Sequence, residues 1–345
     1  MGLFHKRLRC VVAIGLTLIG LTLPLYARAS AKNDCPAIIT YTNSALGGDQ
    51  EALHKLKQLA DHGNAFAQAM MVEILTTDSE KYVVPGSTDS KVVSEYGNKA
   101  AHSGNALGIY LNGEVNFVTG EMWGMPDRVA KGHEDVLAGV AALQKDITGQ
   151  CSAPYILALA QANARGEAGP QDFTLVLRLV HQAAASGYLP AMANLADLYA
   201  WQKLSYFDIK KAVHWTRKAA KLGYLPSITM MGDLYKSGEG VAQSPAKAFL
   251  NYKRASDRHY PVAEFKLANA YLEGLGTPVN DRAALALLLE ASTSGYPPAQ
   301  REAFELSLQM MRDHQIPGDP KTLKIWNHIA TARDWHPSTD LPHPK

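Results

Sequence analysis

Cysteine, charge and long apolar runs are all scarce in this chain. Only three cysteines occur in 345 residues, none at metal-ligand spacing, so no cysteine-held metal centre is indicated. The twelve histidines are scattered without pairing. Charged residues make up 19% of the chain against 47% hydrophobic, a balance that excludes disorder and allows an extensive buried interior. There is no basic surplus of the kind nucleic-acid binding needs. The only long apolar run, Val11 to Leu25, is about fifteen residues, short of the roughly twenty needed to span a bilayer.

That run follows Lys6, Arg7 and Arg9 and precedes Ala29-Ser30-Ala31, the order of a secretory signal peptide. Cleavage is expected after Ala31, with Ala29 second, leaving a soluble periplasmic or secreted protein. The leader holds four basic residues and no acidic one, so its removal takes the formal charge from +2 to −2. It also removes Cys10. Cys35 and Cys151 then remain in an oxidising compartment where thiols within reach tend to pair. They lie 116 residues apart, and in an elongated fold Cys35 could reach only if the first helix folded back.

The chain also repeats itself. "QAAASGYLPAMANLADLYAWQK" and "KAAKLGYLPSITMMGDLYKSGEG" lie thirty-six residues apart, and "RASDRHYPVAEFKLANAYLEGLG" and "EASTSGYPPAQREAFELSL" continue at the same interval. A fixed period of this size marks stacked copies of one supersecondary unit. Gly187, Gly223 and Gly295, with His259 in the third copy, end alanine-rich helices where a left-handed residue closes the last turn. Tyrosine and proline follow, and proline suits the first turn of the next helix.

That next helix carries one stripe in three copies: Ala191, Leu195, Leu198 and Tyr199; Ser227, Met231, Leu234 and Tyr235; Ala263, Leu267, Ala270 and Tyr271. The spacing is helical and predicts core. Second helices start at the capping residues Ser244 or Asn280 and carry small residues, among them Ala212, Ala219, Ala248, Ala255, Ala284 and Ala291. Each copy is an antiparallel helix pair that must stack on its neighbours. Upstream, Gly63, Gly104, Gly149 and Gly187 follow at intervals of 41, 45 and 38, so roughly fourteen to sixteen helices are expected. The expected organisation is a signal peptide over 1–31 and a solenoid over 32–315, irregular to 170 and regular from 171. A capping helix over 316–334, carrying Leu323, Trp326 and Ile329, and a tail over 335–345 complete it.

The residues Ala219, Ala220, Gly223, Ser227, Gly232, Leu234, Tyr235, Gly238, Gly240 and Val241, with Ala212 and Trp215 before them, resemble the Sel-one-like repeat family, relatives of tetratricopeptide repeats. The match is good from Gln182 to Gln300 and fair from Leu59 to Gly166, and "YAWQKLSYFD" departs from it by lacking the Gly-x-Gly loop. The resemblance implies a right-handed α/α superhelical solenoid and protein binding. For exported bacterial members it implies an adaptor role in envelope signalling, exopolysaccharide export or host contact. Its motifs are structural and carry over no catalytic, cofactor or metal residue.

Ser244-Pro-Ala-Lys247 has the Ser-x-x-Lys spacing of penicillin-recognising enzymes, but Ser244 falls where Asp208 and Asn280 cap helices in neighbouring copies. His133-Glu134-Asp135 lacks a second histidine at i+4 and reads as the acidic first turn of a helix. No nucleophile, base and orienting group assemble, so the chain reads as no enzyme and needs no cofactor. A protein-binding scaffold is the favoured reading; an envelope glycan-binding protein or a cell-wall or β-lactam hydrolase is the alternative. Candidate partner residues lie opposite the packed stripe, where chemistry changes between copies: Asn194, Asp197 and Trp201; Met230 and Asp233; Lys266, Asn269 and Glu273. First helices generally line the concave side of such stacks. The unequal glycine spacing around Gly113 predicts a shortened first helix and an inserted loop within 110–132, carrying Phe117 and Trp123 as further candidates.

Overall fold

The computed structural model describes residues 22–76, 88–147, 151–294 and 296–313. The leader before Thr22, the turn residues Gly149 and Gly295, and the expected C-terminal cap and tail lie outside the described residues. Fifteen α-helices and no strand occur among those described. The first seven are α1 (Thr22–Leu46), α2 (Gln50–Asp61), α3 (Ala65–Thr76), α4 (Thr88–His102), α5 (Ala106–Met122), α6 (Pro126–Asp146) and α7 (Ser152–Arg165). The next four are α8 (Phe173–Ala185), α9 (Leu189–Ala200), α10 (Ile209–Lys221) and α11 (Leu225–Ser237). The last are α12 (Pro245–Ser256), α13 (Pro261–Glu273), α14 (Asp281–Thr293) and α15 (Pro297–Arg312). Consecutive helices pack pairwise along the whole series, an α solenoid. No helix among the described residues is long and apolar enough to cross a membrane.

The repeated stripe is core. Ala191, Leu195, Met231, Ala263, Leu267 and Ala270 are all buried, as are Ala212, Ala219, Ala248, Ala255, Ala284 and Ala291 on the second helices. The second helices start on side-chain caps: Asp208 accepts from the N–H groups of Lys210 and Lys211, Ser244 from Lys247, and Asn280 from Ala283. The Ser244 oxygen thus serves the first turn of α12.

The turns between copies take the left-handed conformation at Gly187 (φ 89°), Gly223 (φ 97°) and His259 (φ 55°), the last being the non-glycine residue with positive φ among those described. A side chain there costs about 1–2 kcal/mol. Gly223→Val is therefore expected to destabilise by more than about 1 kcal/mol. His259→Gly is expected to be neutral to stabilising, because strain relief offsets the roughly 1 kcal/mol of added chain entropy. Urea unfolding of both variants checks this; equal, negligible effects would refute the turn geometry.

The region around Gly113 departs from the sequence reading. There is no long inserted loop and no shortened first helix: α5 has 17 residues, α6 has 21, and Trp123, Gly124 and Met125 alone connect them. Gly113 is not a loop glycine. With Gly120 on α5, and with Gly132 and Gly139 on α6, it forms a seven-residue spacing that brings the two backbones together. A Cβ at Gly113 would lie 2.5 Å from the Val136 backbone nitrogen, and one at Gly132 would lie 2.3 Å from that of Phe117. The extra residues lengthen a tightly packed hairpin.

The N-terminal helix does fold back. Cys35 of α1 and Cys151, which precedes α7, form a disulfide with Cα atoms 6.0 Å apart. Farther along α1, Asn43 Nδ2 donates to the Gly187 carbonyl and the Leu189 N–H donates to Asn43 Oδ1, both at 3.2 Å. Just beyond its end, the Gly47 carbonyl accepts from Arg258 Nη1 at 2.9 Å. The first helix thus ties the irregular copies to the turns of the regular ones. Asn43, Gly47, Leu222, Gly223 and Arg258 border a cavity of about 350 Å³ along this seam.

Candidate functional site

Helices α3, α5, α7 and α9 touch one another as well as their hairpin partners. Shorter separations belong on the inner side of a curved stack, so these first helices form the concave wall. Along them runs a groove with a cavity of about 280 Å³, bordered by Glu73 and Thr76 of α3, Leu107 and Leu111 of α5, Leu157 and Gln161 of α7, and Asn194 and Tyr224 farther on. Its lining combines apolar and polar side chains.

Two carboxyls in this wall resist ionisation. Desolvation raises Glu73 to about 7, opposed by a contact with the Tyr188 hydroxyl. It raises Asp197 to about 6. Asp197 is accessible to water, yet the curving wall surrounds it with protein and withholds much of the solvent a carboxylate needs. For Glu73 the folded value lies above the unfolded one, so its contribution to stability is fully present below about pH 4.5 and is lost as pH rises through about 7. Glu73→Gln keeps the neutral shape at every pH. It is expected to be more stable than the wild type at pH 8, with no advantage at pH 4, in urea titrations at the two values. The reverse order would refute the assignment.

The candidate residues fall into separate groups. Asn194 lines the cavity, its Nδ2 donating to the Pro190 carbonyl at 3.5 Å. Met230 is 42% exposed. Asp233 accepts from the Tyr252 hydroxyl at 2.8 Å and from Lys266 Nζ at 3.0 Å, so this pair ties α11 to α12 and α13. Asn269, with its amide oriented to donate, reaches Glu302 of α15 at 3.2 Å, and Lys236 meets Glu273 at 2.6 Å. Trp201 sits at the end of α9 with its ring edge-on to Phe173, the centroids 5.3 Å apart, at the loop edge of the stack. Trp123 and Met125 are exposed at the tip of the α5–α6 hairpin, whereas Phe117 is half-buried on α5, its backbone against Gly132. These aromatics form no continuous row.

Sequence reasoning missed a polar cluster between α5 and α7. Arg165 Nη2 meets Glu114 Oε2 at 2.6 Å and also donates to the Tyr110 hydroxyl, while Arg165 Nε meets Glu167 Oε1 at 3.0 Å. Burial is the largest influence on Glu114 and raises it to about 7 against the pull of Arg165. The residues lie 51 or more positions apart in part, and only the stacking of copies brings them together. His133, Glu134 and Asp135 lie about two turns into α6 rather than in its first turn, which carries Asp127, and there Lys131 reaches Glu134 at 3.4 Å and Asp135 at 2.8 Å. Elsewhere His259, Glu264 and Glu290 bring possible ligand atoms within 4.8 Å of one another, with His259 Nδ1 3.8 Å from the buried Glu264.

The Sel1 repeat model matches residues 189–224, 226–260 and 261–296, each match spanning one hairpin: α9–α10, α11–α12 and α13–α14. The chain carries three Sel1 repeats over this segment. Its fold is similar to that of a Sel1 repeat protein from Oxalobacter formigenes, at 22% identity, covering 81% of this chain and 75% of that one with a TM-score of 0.45. It is also similar to c5321, a protective antigen present in uropathogenic Escherichia coli strains and displaying an SLR fold, at 20% identity, 81% and 56% coverage and a TM-score of 0.47. A Sel1 repeat protein from Klebsiella pneumoniae subsp. pneumoniae aligns at 18% identity, 62% and 99% coverage and a TM-score of 0.37. No curated protein matches the chain. Asn194, Asp197, Met230, Asp233, Lys266 and Asn269 lie within the matched segments.

Proposed function

We propose that this protein is an exported periplasmic scaffold that binds a segment of another protein along its concave groove, as an adaptor in envelope signalling, exopolysaccharide export or host contact. The groove carries the reading. Its lining combines apolar side chains such as Leu107, Leu111 and Leu157 with polar Glu73, Thr76, Gln161 and Asn194, and the candidate positions on the first helices differ in chemistry between copies whose core stripe stays small or apolar. No catalytic role, metal or cofactor enters this reading. Export rests on the basic, apolar and small-residue order of the first thirty-one positions. Cleavage after Ala31 would leave Cys35 and the contacts of Asn43 in place.

A photocrosslinking residue at Asn194 or Met230, compared with one at Leu250, which is 61% exposed on the second helix α12, tests the reading in periplasmic extracts. A single defined adduct from the groove positions, absent from Leu250 and not competed by isolated cell-wall glycan, is the expected outcome. Equal labelling at all three sites, or loss of the adduct to glycan, would overturn it. Intact-mass measurement that finds Lys6 to Arg28 retained would overturn the export part alone.

A further inference from the structure

Three positions of the repeat change character together in a single copy. The turn before the first helix is closed by Gly187 and Gly223 in two copies, but by His259 before α13. Five residues on, the buried position held by Met192 and Ile228 is held by Glu264, which is 1% exposed. The exposed position occupied by Lys218 on α10 and Arg254 on α12 becomes Glu290 on α14. In the preceding copy Arg254 Nη2 donates to the Ala220 carbonyl at 3.2 Å, a bond that no carboxylate can make.

The helix pair does not require these residues. A carboxylate in a column that elsewhere takes methionine or isoleucine gives up hydration for no gain in packing. Yet the three altered side chains converge, one ligand atom from each lying within 4.8 Å of the other two. Three atoms so placed share a centre no more than about 2.8 Å from each, against roughly 2.0–2.2 Å from zinc to an imidazole nitrogen or a carboxylate oxygen. His259 and Glu290 are exposed and close that gap by small torsions, while packing holds Glu264. His259 Nδ1 stands 3.8 Å from Glu264 Oε1. That is beyond hydrogen-bond reach and close to the spacing of two ligands on one tetrahedral zinc, about 3.4 Å. One imidazole with two carboxylates suits zinc better than calcium, which takes oxygen ligands.

We propose that His259, Glu264 and Glu290 form a zinc-binding site that joins the α12–α13 turn to the C-terminal end of α14. The ion supplies by coordination the tie that Arg254 supplies by hydrogen bonding one copy earlier, and water completes the tetrahedron from the exposed side. The site shares no residue with the groove and does not rest on its reading.

Isothermal titration of zinc chloride into the untagged, chelator-treated chain tests this, with urea unfolding as a second readout. One ion per chain is expected. His259→Gly, Glu264→Gln and Glu290→Gln should each weaken binding at least about tenfold, whereas His133→Ala, beside the exposed Glu134 of α6, should leave it unchanged. Glutamine fits the buried column, where Gln68 of α3 is 4% exposed, so Glu264→Gln keeps the fold. Zinc should raise the urea midpoint of the wild type and of His133→Ala, but not of the other three variants. In chelator, His259→Gly should be at least as stable as the wild type. Absence of saturable zinc binding, binding undiminished in the three ligand variants, or an equal loss in His133→Ala overturns the site.

Discussion

Gly132→Ala is expected to destabilise the protein by about 3 kcal/mol or more, at or beyond the upper end of ordinary overpacking. A methyl group there would lie 2.3 Å from the backbone nitrogen of Phe117 and 2.7 Å from its Cα. Those atoms belong to the main chain of α5, so no rotamer change relieves the clash. The hairpin must open, and the neighbouring contacts at Gly113, Gly120 and Gly139 weaken with it. Gly124→Ala at the hairpin tip is the proper comparison. Gly124 has φ 60° with nothing within 4 Å of an added Cβ, so that change costs only the strain of the left-handed conformation, about 1–2 kcal/mol. Urea unfolding monitored by circular dichroism separates the two. If Gly132→Ala costs no more than Gly124→Ala, the close approach of α5 and α6 is refuted.

Loss of the Cys35–Cys151 disulfide should have an effect of similar size. The bond closes a loop of 116 residues, and loops of that length limit the unfolded chain enough to contribute about 2–5 kcal/mol. Cys35→Ser with Cys151→Ser is therefore expected to lower the urea midpoint. Reductant should lower the wild-type midpoint to a similar value and leave the double variant unchanged. An oxidised wild type no more stable than the double variant would show that the bond does not constrain folding. The consequence is more than local, because α1 also joins Gly187 and Leu189 through Asn43 and meets Arg258 at Gly47. Releasing α1 from α7 loosens the tie between the irregular and regular copies.

The repeat was legible in the residues because it depends on local chemistry. Left-handed turns at Gly187 and Gly223, prolines such as Pro226 and Pro261 opening the next helix, and apolar positions at helical spacing each act within a few residues. The same logic failed at Gly113. A glycine that ends a helix and a glycine that admits a neighbouring backbone are identical in sequence; the partner on α6 decides between them. Asp233 and Lys266 likewise read as open surface, since 33 residues separate them and only stacking joins them.

By itself, then, the sequence determined the helix pairs, their period, their caps and the buried stripe, because hydrogen bonding and burial within one copy fix those features. The tertiary structure decided the rest. It joined Cys35 to Cys151, turned a supposed loop into a close-packed hairpin and tied Asp233 to Lys266. These outcomes depend on distances between copies, and an interaction across the stack is set by curvature and register that no single copy contains.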